Sequence, residues 1–350
     1  MSITTVTLLS SLWVPFYLSF LGGFFCWKEN IKMSKPFKTL DEQISILKSR
    51  GLIIPDEEAA KLSLLCNNYY NVINYYSKFF MVGGTDNYLP DVSFNEILSV
   101  YYFDKEIKSI FLKATIDIEK CLKSMIAYYF SEAHSEDYSY LNVNNFDCSK
   151  ITKTVNLISG ISKTIAQKER EKIDNSVKHY LNHHFNVPLW VIMNYLSFGQ
   201  VVQFYELMKQ SDQNKIAKRF SDFSNKALNT TTVHLDSKKL LSYLKNIHEI
   251  RNITAHSNKF IGFKCKENAH YLNELHSLYN IGNNDSKQDV FNVFVTMRIF
   301  LAPGNFTTFN NSIRKRMVHL SKNVNSIDVN KIFEKLGFPY DWYKLPAKQL

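Results

Sequence analysis

The stretch that decides the fold runs from Ser93 to Tyr129, SFNEILSVYYFDKEIKSIFLKATIDIEKCLKSMIAYY. Ser93 and Glu96 form a capping box, in which the serine hydroxyl and the glutamate carboxylate bind free backbone N–H groups at a helix start. Beyond it, apolar residues recur at the three-and-four spacing of one helix face, over about six turns. They are Ile107, Ile110, Phe111, Ala114, Ile118, Cys121, Leu122, Met125 and Tyr129. The pattern predicts a long helix that serves as a scaffold for the rest of the chain.

Other segments are helical too, and none shows the period-two alternation of a strand. Thr39 and Glu42 form another capping box, and Gly51 is expected to end the helix that it opens. The segment Pro188–Met208 is apolar nearly all round, which predicts one centrally buried helix with Gly199 inside it. Further helices are predicted at about 237–250, 286–301, 307–321 and 327–336. The fold class that follows is all-α.

The composition agrees with a helical globular protein. Apolar residues make up 45% and charged residues 21% of the 350, which excludes a disordered, collagen-like or polytopic membrane protein. With 11 Gly and 8 Pro, the chain lacks the turn residues that many short strands require. Five widely spaced cysteines indicate neither a disulfide framework nor a zinc site, and they suit a reducing compartment. The net charge of +10 suits a polyanionic partner, either nucleic acid or anionic lipid, although a diffuse excess of lysine is more often only a solvated surface.

The N-terminus allows two interpretations. No charged residue occurs from Val6 to Trp27, a length that can span a bilayer as a helix, and the lysines that follow would keep the body of the protein in the cytoplasm. Alternatively, Met33 is the natural start and the preceding residues are an over-extended reading frame. The predicted organisation is therefore a hydrophobic segment at 1–32, an anchor or an extension, followed by one helical domain at 33–346. A membrane is a partner only if 6–27 is a true anchor.

One motif could carry chemistry. The chain has no Walker A loop, G-x-G-x-x-G, H-E-x-x-H or G-x-S-x-G, and no metal or cofactor is expected. Arg251, Asn252 and His256 lie at the end of a predicted helix, and these residue types suit RNA cleavage without a metal. An imidazole can exchange a proton with a ribose 2′-hydroxyl or a leaving oxygen, and a guanidinium can bind phosphate oxygens. In a continuous helix Asn252 and His256 share a face, and Arg251 joins them only if the helix breaks near the histidine.

Two other interpretations of such residues stay open. Arg251 could serve only as a charge at a helix end, with His256 an ordinary terminal residue. The same Arg-to-His spacing recurs from Arg314 to His319, where Lys315 and Arg316 crowd the motif on a basic helix. For Arg314, Lys315 and Arg316 we expect a solvated face or a contact to the RNA backbone rather than catalysis.

Dispersed stretches also resemble a known family. They are Lys35–Ile44 with Leu47–Ile54, Tyr102–Ile107 leading to Ile118–Lys123, Pro188–Val191 with Leu196–Gly199, and Leu336–Trp342. In this order they resemble the Abi family of bacterial abortive-infection proteins, of the AbiD/AbiF type, from Lys35 to about Pro346. That family is placed in the HEPN superfamily of helical RNA-acting proteins, which implies a HEPN-like helical bundle with additional helices. The HEPN signature is Arg, a polar residue, three variable residues and His, and it falls on Arg251, Asn252 and His256.

The resemblance implies more about the site. HEPN ribonucleases usually bring two such motifs together in a homodimer, with a charged residue of the long helix nearby, here Glu119 or Lys123. It also favours Met33 as the start, since family members commonly begin close to the Lys-Pro-Phe segment.

Two functions follow. The first is a toxin-like, metal-independent endoribonuclease of phage defence, which cuts host or phage RNA in the cytoplasm. The second is a non-catalytic RNA-binding protein of an abortive-infection or toxin–antitoxin system, which holds a structured small non-coding RNA with its aromatic and lysine side chains.

Overall fold

The computed structural model describes residues 36–256 and 258–345. The chain divides into two compact units, residues 1–39 and residues 40–350, and the described helices all belong to the second. The hydrophobic segment at 6–27 and Met33 lie outside the described residues, so the two interpretations of the N-terminus stay predictions.

The second unit consists of helices. They are α1 (Leu40–Ser49), α2 (Glu57–Asn67), α3 (Phe94–Ala133), α4 (Ile151–Arg170), α5 (Ser176–His184), α6 (Leu189–Ile192), α7 (Phe198–Leu207), α8 (Gln210–Leu228), α9 (Ser237–Ala255), α10 (Asn273–His276), α11 (Val290–Met297), α12 (Pro303–Asn323) and α13 (Asn330–Phe333). A π-helical turn lies at Tyr70–Asn74, and short 3-10 turns join several of the helices. Within the described residues there is no β-strand and only isolated β-bridges. The all-α prediction is confirmed. None of these helices is both long and apolar enough to cross a membrane, as far as the described residues extend.

Helix α3 is the predicted scaffold, and it is longer at both ends than its apolar stripe indicated. It has 40 residues, so it is about 60 Å long. The predicted capping box is present, because the Glu96 N–H donates to Ser93 Oγ at 3.3 Å and the Ser93 N–H donates to Glu96 Oε2 at 2.9 Å. Its apolar stripe faces α9 on one side and α12 on the other. Phe111, fully buried, packs edge-on against Phe260 at 5.3 Å and Phe309 at 5.0 Å between ring centroids.

The single helix predicted at Pro188–Met208 is wrong. Helix α6 ends at Ile192, a 3-10 turn follows, and α7 begins at Phe198. The break has a local cause: the Gln200 N–H donates to Ser197 Oγ at 3.3 Å and the Ser197 N–H donates to Gln200 Oε1 at 2.9 Å, a second capping box that starts a new helix. Central burial of the segment is confirmed, because most of its apolar side chains belong to the core.

The C-terminal helices also differ from their predicted bounds. The helix expected at 286–301 is α11 alone, and the one expected at 327–336 is α13 followed by a 3-10 turn. Helix α12 contains the predicted 307–321 and begins earlier, at Pro303, which fits the first helical turn because proline has no N–H to leave unpaired.

The Glu96 side chain ties the start of α3 to the chain after α12, which gives a first prediction. Its Oε1 accepts the N–H groups of Asn325 and Ser326, both at 2.8 Å. Burial alone would raise the pKa of Glu96, but these donors and the Ser93 N–H outweigh it and lower the pKa. Glu96→Gln is expected to reduce the free energy of unfolding at pH 7 by about 1.5–3 kcal/mol, the usual range for hydrogen bonds to a charged group.

The pH dependence distinguishes this contact from simple packing. A carboxylate with a lowered folded pKa stabilises above its unfolded pKa of about 4.3 and loses that contribution as the pH falls through the folded value. Urea unfolding of wild type and Glu96→Gln should therefore differ at pH 7 and converge in acid. Glu169→Gln in α4, where the carboxylate is exposed and forms no ion pair with the described residues, is the control. A difference that stays constant down to acid pH would contradict the assignment.

Candidate functional site

Helix α9 carries the predicted motif at its C-terminal end. It begins after Asp236, whose carboxylate accepts the Lys239 N–H at 2.7 Å, and it ends at Ala255. His256 is already extended, with φ −109° and ψ 163°, and its side chain is exposed. The four-residue spacing therefore does not place Asn252 and His256 on one helical face. The sequence analysis allowed Arg251 to join His256 only if the helix breaks near the histidine. The helix does break there, directly before His256.

A buried carboxylate holds the chain after His256 against α3. Asp104, fully buried in α3, accepts the Ile261 N–H at 2.7 Å, the Phe260 N–H at 3.2 Å and the Tyr76 hydroxyl at 2.9 Å. Burial raises the pKa of Asp104, and the Ile261 N–H and the ammonium of Lys108 oppose that rise. Lys108 Nζ also donates to the Asn258 carbonyl at 3.0 Å. Asn258, Phe260 and Ile261, which follow His256 by two to five positions, are thus bound to side chains of α3.

Arg251 meets the two charged residues predicted on the long helix. Glu119 and Lys123, one turn apart on α3, form an ion pair at 2.8 Å. Arg251 Nε lies 3.9 Å from Glu119 Oε2, too far for a hydrogen bond. This Nε is buried and has no hydrogen-bond partner in the described residues. Arg251 and Lys123 thus both lie within ion-pair distance of the Glu119 carboxylate, one at each oxygen.

Asn252 contacts a histidine that the sequence analysis missed. Its Nδ2 lies 3.0 Å from His248 Nε2, one turn earlier on α9. Burial, and then the positive charge of Arg251, lowers the pKa of His248, so the neutral imidazole that accepts from Asn252 is favoured. The ring also fills the space beside Gly199 of α7, where an added Cβ would lie 3.0 Å from Nε2. A His four residues before Asn252 was the available signal, but the approach of Gly199 was not readable from the sequence.

Arg251, but neither Asn252 nor His256, lines a groove of about 920 Å³ between α3 and α6. Its lining includes Glu119, Lys120 and Lys123 of α3, Trp190 of α6 and Arg251 of α9. The structure thus brings Arg251, Glu119 and Lys123 together, as the resemblance implied. His256 does not line this groove, although it lies five residues from Arg251 on the same segment.

The second Arg-to-His copy lies on α12 in a different environment. Arg314 points inward: its Nη2 donates to the Tyr343 carbonyl at 3.2 Å, and its guanidinium lies 5.8 Å from the Trp342 ring centroid. Burial lowers the pKa of Arg314. Arg316 pairs with Glu106 at 3.1 Å, whereas Lys315 is exposed. Two of these three residues predicted to contact RNA therefore have partners inside the protein, and their role in RNA binding stays a prediction.

Potential metal ligands do not cluster in the described part of the chain. Across residues 36–256 and 258–345, no group of three or more His, Cys, Asp or Glu side chains is arranged to hold a metal ion.

Comparison with known proteins gives one match. The family model described as Abi-like protein matches residues 63–262, which are 200 of the 350 residues and include Arg251, Asn252 and His256. The copy at Arg314 lies outside the match. No curated protein and no solved structure matches the chain.

Proposed function

The chain belongs to the Abi-like protein family, and from that premise we propose that it is an endoribonuclease of abortive infection, in which Arg251 binds a phosphate of the RNA and His256 transfers a proton. Family membership suggests a role in phage defence. The action on RNA and the HEPN assignment rest on the motif and its surroundings.

The observation that carries the proposal is the state of the Arg251 side chain. Its Nε is buried without a hydrogen-bond partner among the described residues, and its carboxylate neighbour Glu119 is held by Lys123. The side chain as a whole is 34% exposed and lines the groove, so a ligand can reach the guanidinium from that side. A phosphate offers oxygens that match the fork of a guanidinium.

His256 supports the proposal through its position. It is exposed directly after α9, and Asn258 and Ile261 a few positions later are bound by Lys108 and Asp104. An accessible imidazole can take the proton of a ribose 2′-hydroxyl while the hydroxyl oxygen attacks phosphorus. The new O2′–P bond replaces the P–O5′ bond. The departing 5′-oxygen takes up a proton from the other acid–base group, the His256 of a second copy of the chain. The products are a 2′,3′-cyclic phosphate and a free 5′-hydroxyl.

A homodimer completes the proposal. Two copies would bring two Arg251/His256 motifs together, so that one histidine acts as base and the other as acid. We place this dimer in the cytoplasm, with host or phage RNA as the substrate.

A second function is supported by the exposed aromatic side chains of the groove. Trp190 and Tyr128 are 55% and 64% exposed beside Lys120 and Lys123, a combination that suits holding RNA without cutting it. In this case Arg251 and His256 contact a structured small RNA, and the protein is an RNA-binding member of a toxin–antitoxin or abortive-infection system.

One assay separates the two functions. Purified protein is incubated with a labelled RNA pool in EDTA, and the ends of any fragments are analysed. We expect cleavage that persists in EDTA and leaves cyclic phosphates, because the proposed chemistry uses only protein side chains. RNA that binds but stays intact would favour the second function, and a protein that neither binds nor cuts RNA would exclude both.

A further inference from the structure

Helix α6 buries three of its four side chains and exposes the fourth, Trp190. Leu189, Val191 and Ile192 are buried at 2%, 6% and 0%, whereas the Trp190 side chain between them is 55% exposed. Tryptophan has a large apolar ring with a polar N–H, and it is enriched at binding interfaces. The Trp190 ring is not needed to hold α6 in place, because Leu189, Val191 and Ile192 already pack in the core.

The opposite wall of the groove is a face of α3 that presents a second ring. Tyr128 is 64% exposed and Ile116 is 38% exposed, and both line the same groove as Trp190 and Arg251. The groove therefore has an aromatic plane on each wall and a phosphate-binding donor among its lining residues.

The charges of the groove favour an anionic occupant. Its cations are Lys120, Lys123 and Arg251, and its carboxylates are Glu119 and Glu132. Glu119 is paired with Lys123 at 2.8 Å, and Glu132 faces Lys215 of α8 at 3.4 Å. Lys120 is exposed and forms no ion pair with the described residues. Exposed rings beside unneutralised cations bind strands whose bases are free to stack, whereas the bases of a duplex are already stacked on each other.

We propose that the groove between α3 and α6 binds a single-stranded segment of RNA, with an unpaired base stacked on the Trp190 indole and a phosphate of the same strand held by Arg251. This inference rests on the proposed function for its choice of RNA, and it assigns to Trp190 a selectivity for unpaired bases.

The test measures binding of a labelled 12-nucleotide RNA, single-stranded or annealed to its complement. All proteins carry His256→Ala so that the RNA stays intact. Trp190→Ala is expected to weaken single-strand binding about 5- to 100-fold, the loss typical of one stacked base, and to leave duplex binding unchanged. Trp190→Phe retains an aromatic plane and should restore most of the affinity. Phe223→Ala removes an exposed ring of α8, 46% exposed and outside the groove, and should have no effect.

Each other outcome has a defined meaning. Equal single-strand binding by Trp190→Ala and its parent overturns the groove assignment, and so does an equal loss for both RNA forms.

Light scattering on the same proteins covers a further alternative. If Trp190→Ala converts a dimer into a monomer, the groove is an interface between copies, which overturns the assignment too. Cleavage is measured separately, with Trp190→Ala made in the protein that keeps His256. Cleavage that does not depend on Trp190 supports the nuclease but not the groove, and Trp190-dependent binding without any cleavage by the His256 protein supports the groove but not the nuclease. Absence of any RNA binding overturns both.

Discussion

Replacing His256 by alanine is expected to reduce RNA cleavage by about 10²- to 10⁴-fold, the usual contribution of general acid–base catalysis. The side chain is exposed and follows the last residue of α9, so its removal takes nothing from the core. The free energy of unfolding, obtained from thermal denaturation, should therefore match that of wild type within about 0.5 kcal/mol. Cleavage rates on RNA and phage protection in cells are the measurements, with circular dichroism to verify the helical content.

The chain contains its own matched control. His319 follows Arg314 by the same five positions as His256 follows Arg251, and it is exposed on α12. The copy lacks the asparagine after its arginine, and Arg314 is occupied by the Tyr343 carbonyl. His319→Ala should leave cleavage and protection unchanged. If a correctly folded His256→Ala protein keeps both activities, catalysis at this motif is wrong.

The second large effect is expected at Asp104, through stability as well as activity. Asp104→Ala leaves the N–H groups of Phe260 and Ile261 and the Tyr76 hydroxyl without their acceptor inside the core. Each unsatisfied buried donor costs about 1–3 kcal/mol, and loss of one partner of a buried ionic contact costs about 3–5 kcal/mol in total. We expect a decrease of about 3–5 kcal/mol in the free energy of unfolding, measured from urea midpoints at constant slope.

Activity should fall further than the folded fraction accounts for, because the residues that lose their acceptor, Phe260 and Ile261, follow His256 by only four and five positions. Asp104→Asn keeps one carbonyl acceptor and is expected to be intermediate in both measurements. The control is Asp117→Ala on the same helix, where the half-buried carboxylate forms no ion pair with the described residues. Asp104→Ala with wild-type stability would show that the Phe260–Ile261 turn does not depend on this carboxylate.

Local patterns predicted the parts of the fold that local interactions determine. The capping box of Ser93 and the apolar stripe behind it predicted α3, and the residues after Asp236 predicted α9. One helix over Pro188–Met208 is a wrong prediction because α6 ends at Ile192 and the Ser197–Gln200 capping box starts a new helix within the apolar segment. A cap fixes backbone geometry, whereas hydrophobicity fixes only burial, and burial was the part that was predicted correctly.

The remaining features depend on contacts between distant positions. Asp104 lies 156 residues before Phe260 in the sequence, and no periodicity connects them. The sequence predicts Arg314 on an exposed basic face. In the fold, Trp342 and Tyr343, which come much later in the chain, pack against it. The His248–Asn252 contact was within reach of helical spacing, but its confinement by Gly199 depends on how α7 crosses α9.

The packing of α12 along α3 affects how stable the region matched by the family model would be on its own. The matched region ends at residue 262, before α11, α12 and α13. Phe309 nevertheless covers Phe111, and the Glu96 carboxylate binds backbone at 325 and 326. A chain cut back to the matched region would expose one side of its longest helix to water, at about 1.5–3 kcal/mol for each large side chain uncovered. The C-terminal helices of this chain therefore complete the hydrophobic cover of α3, which the matched region alone would leave open on that face.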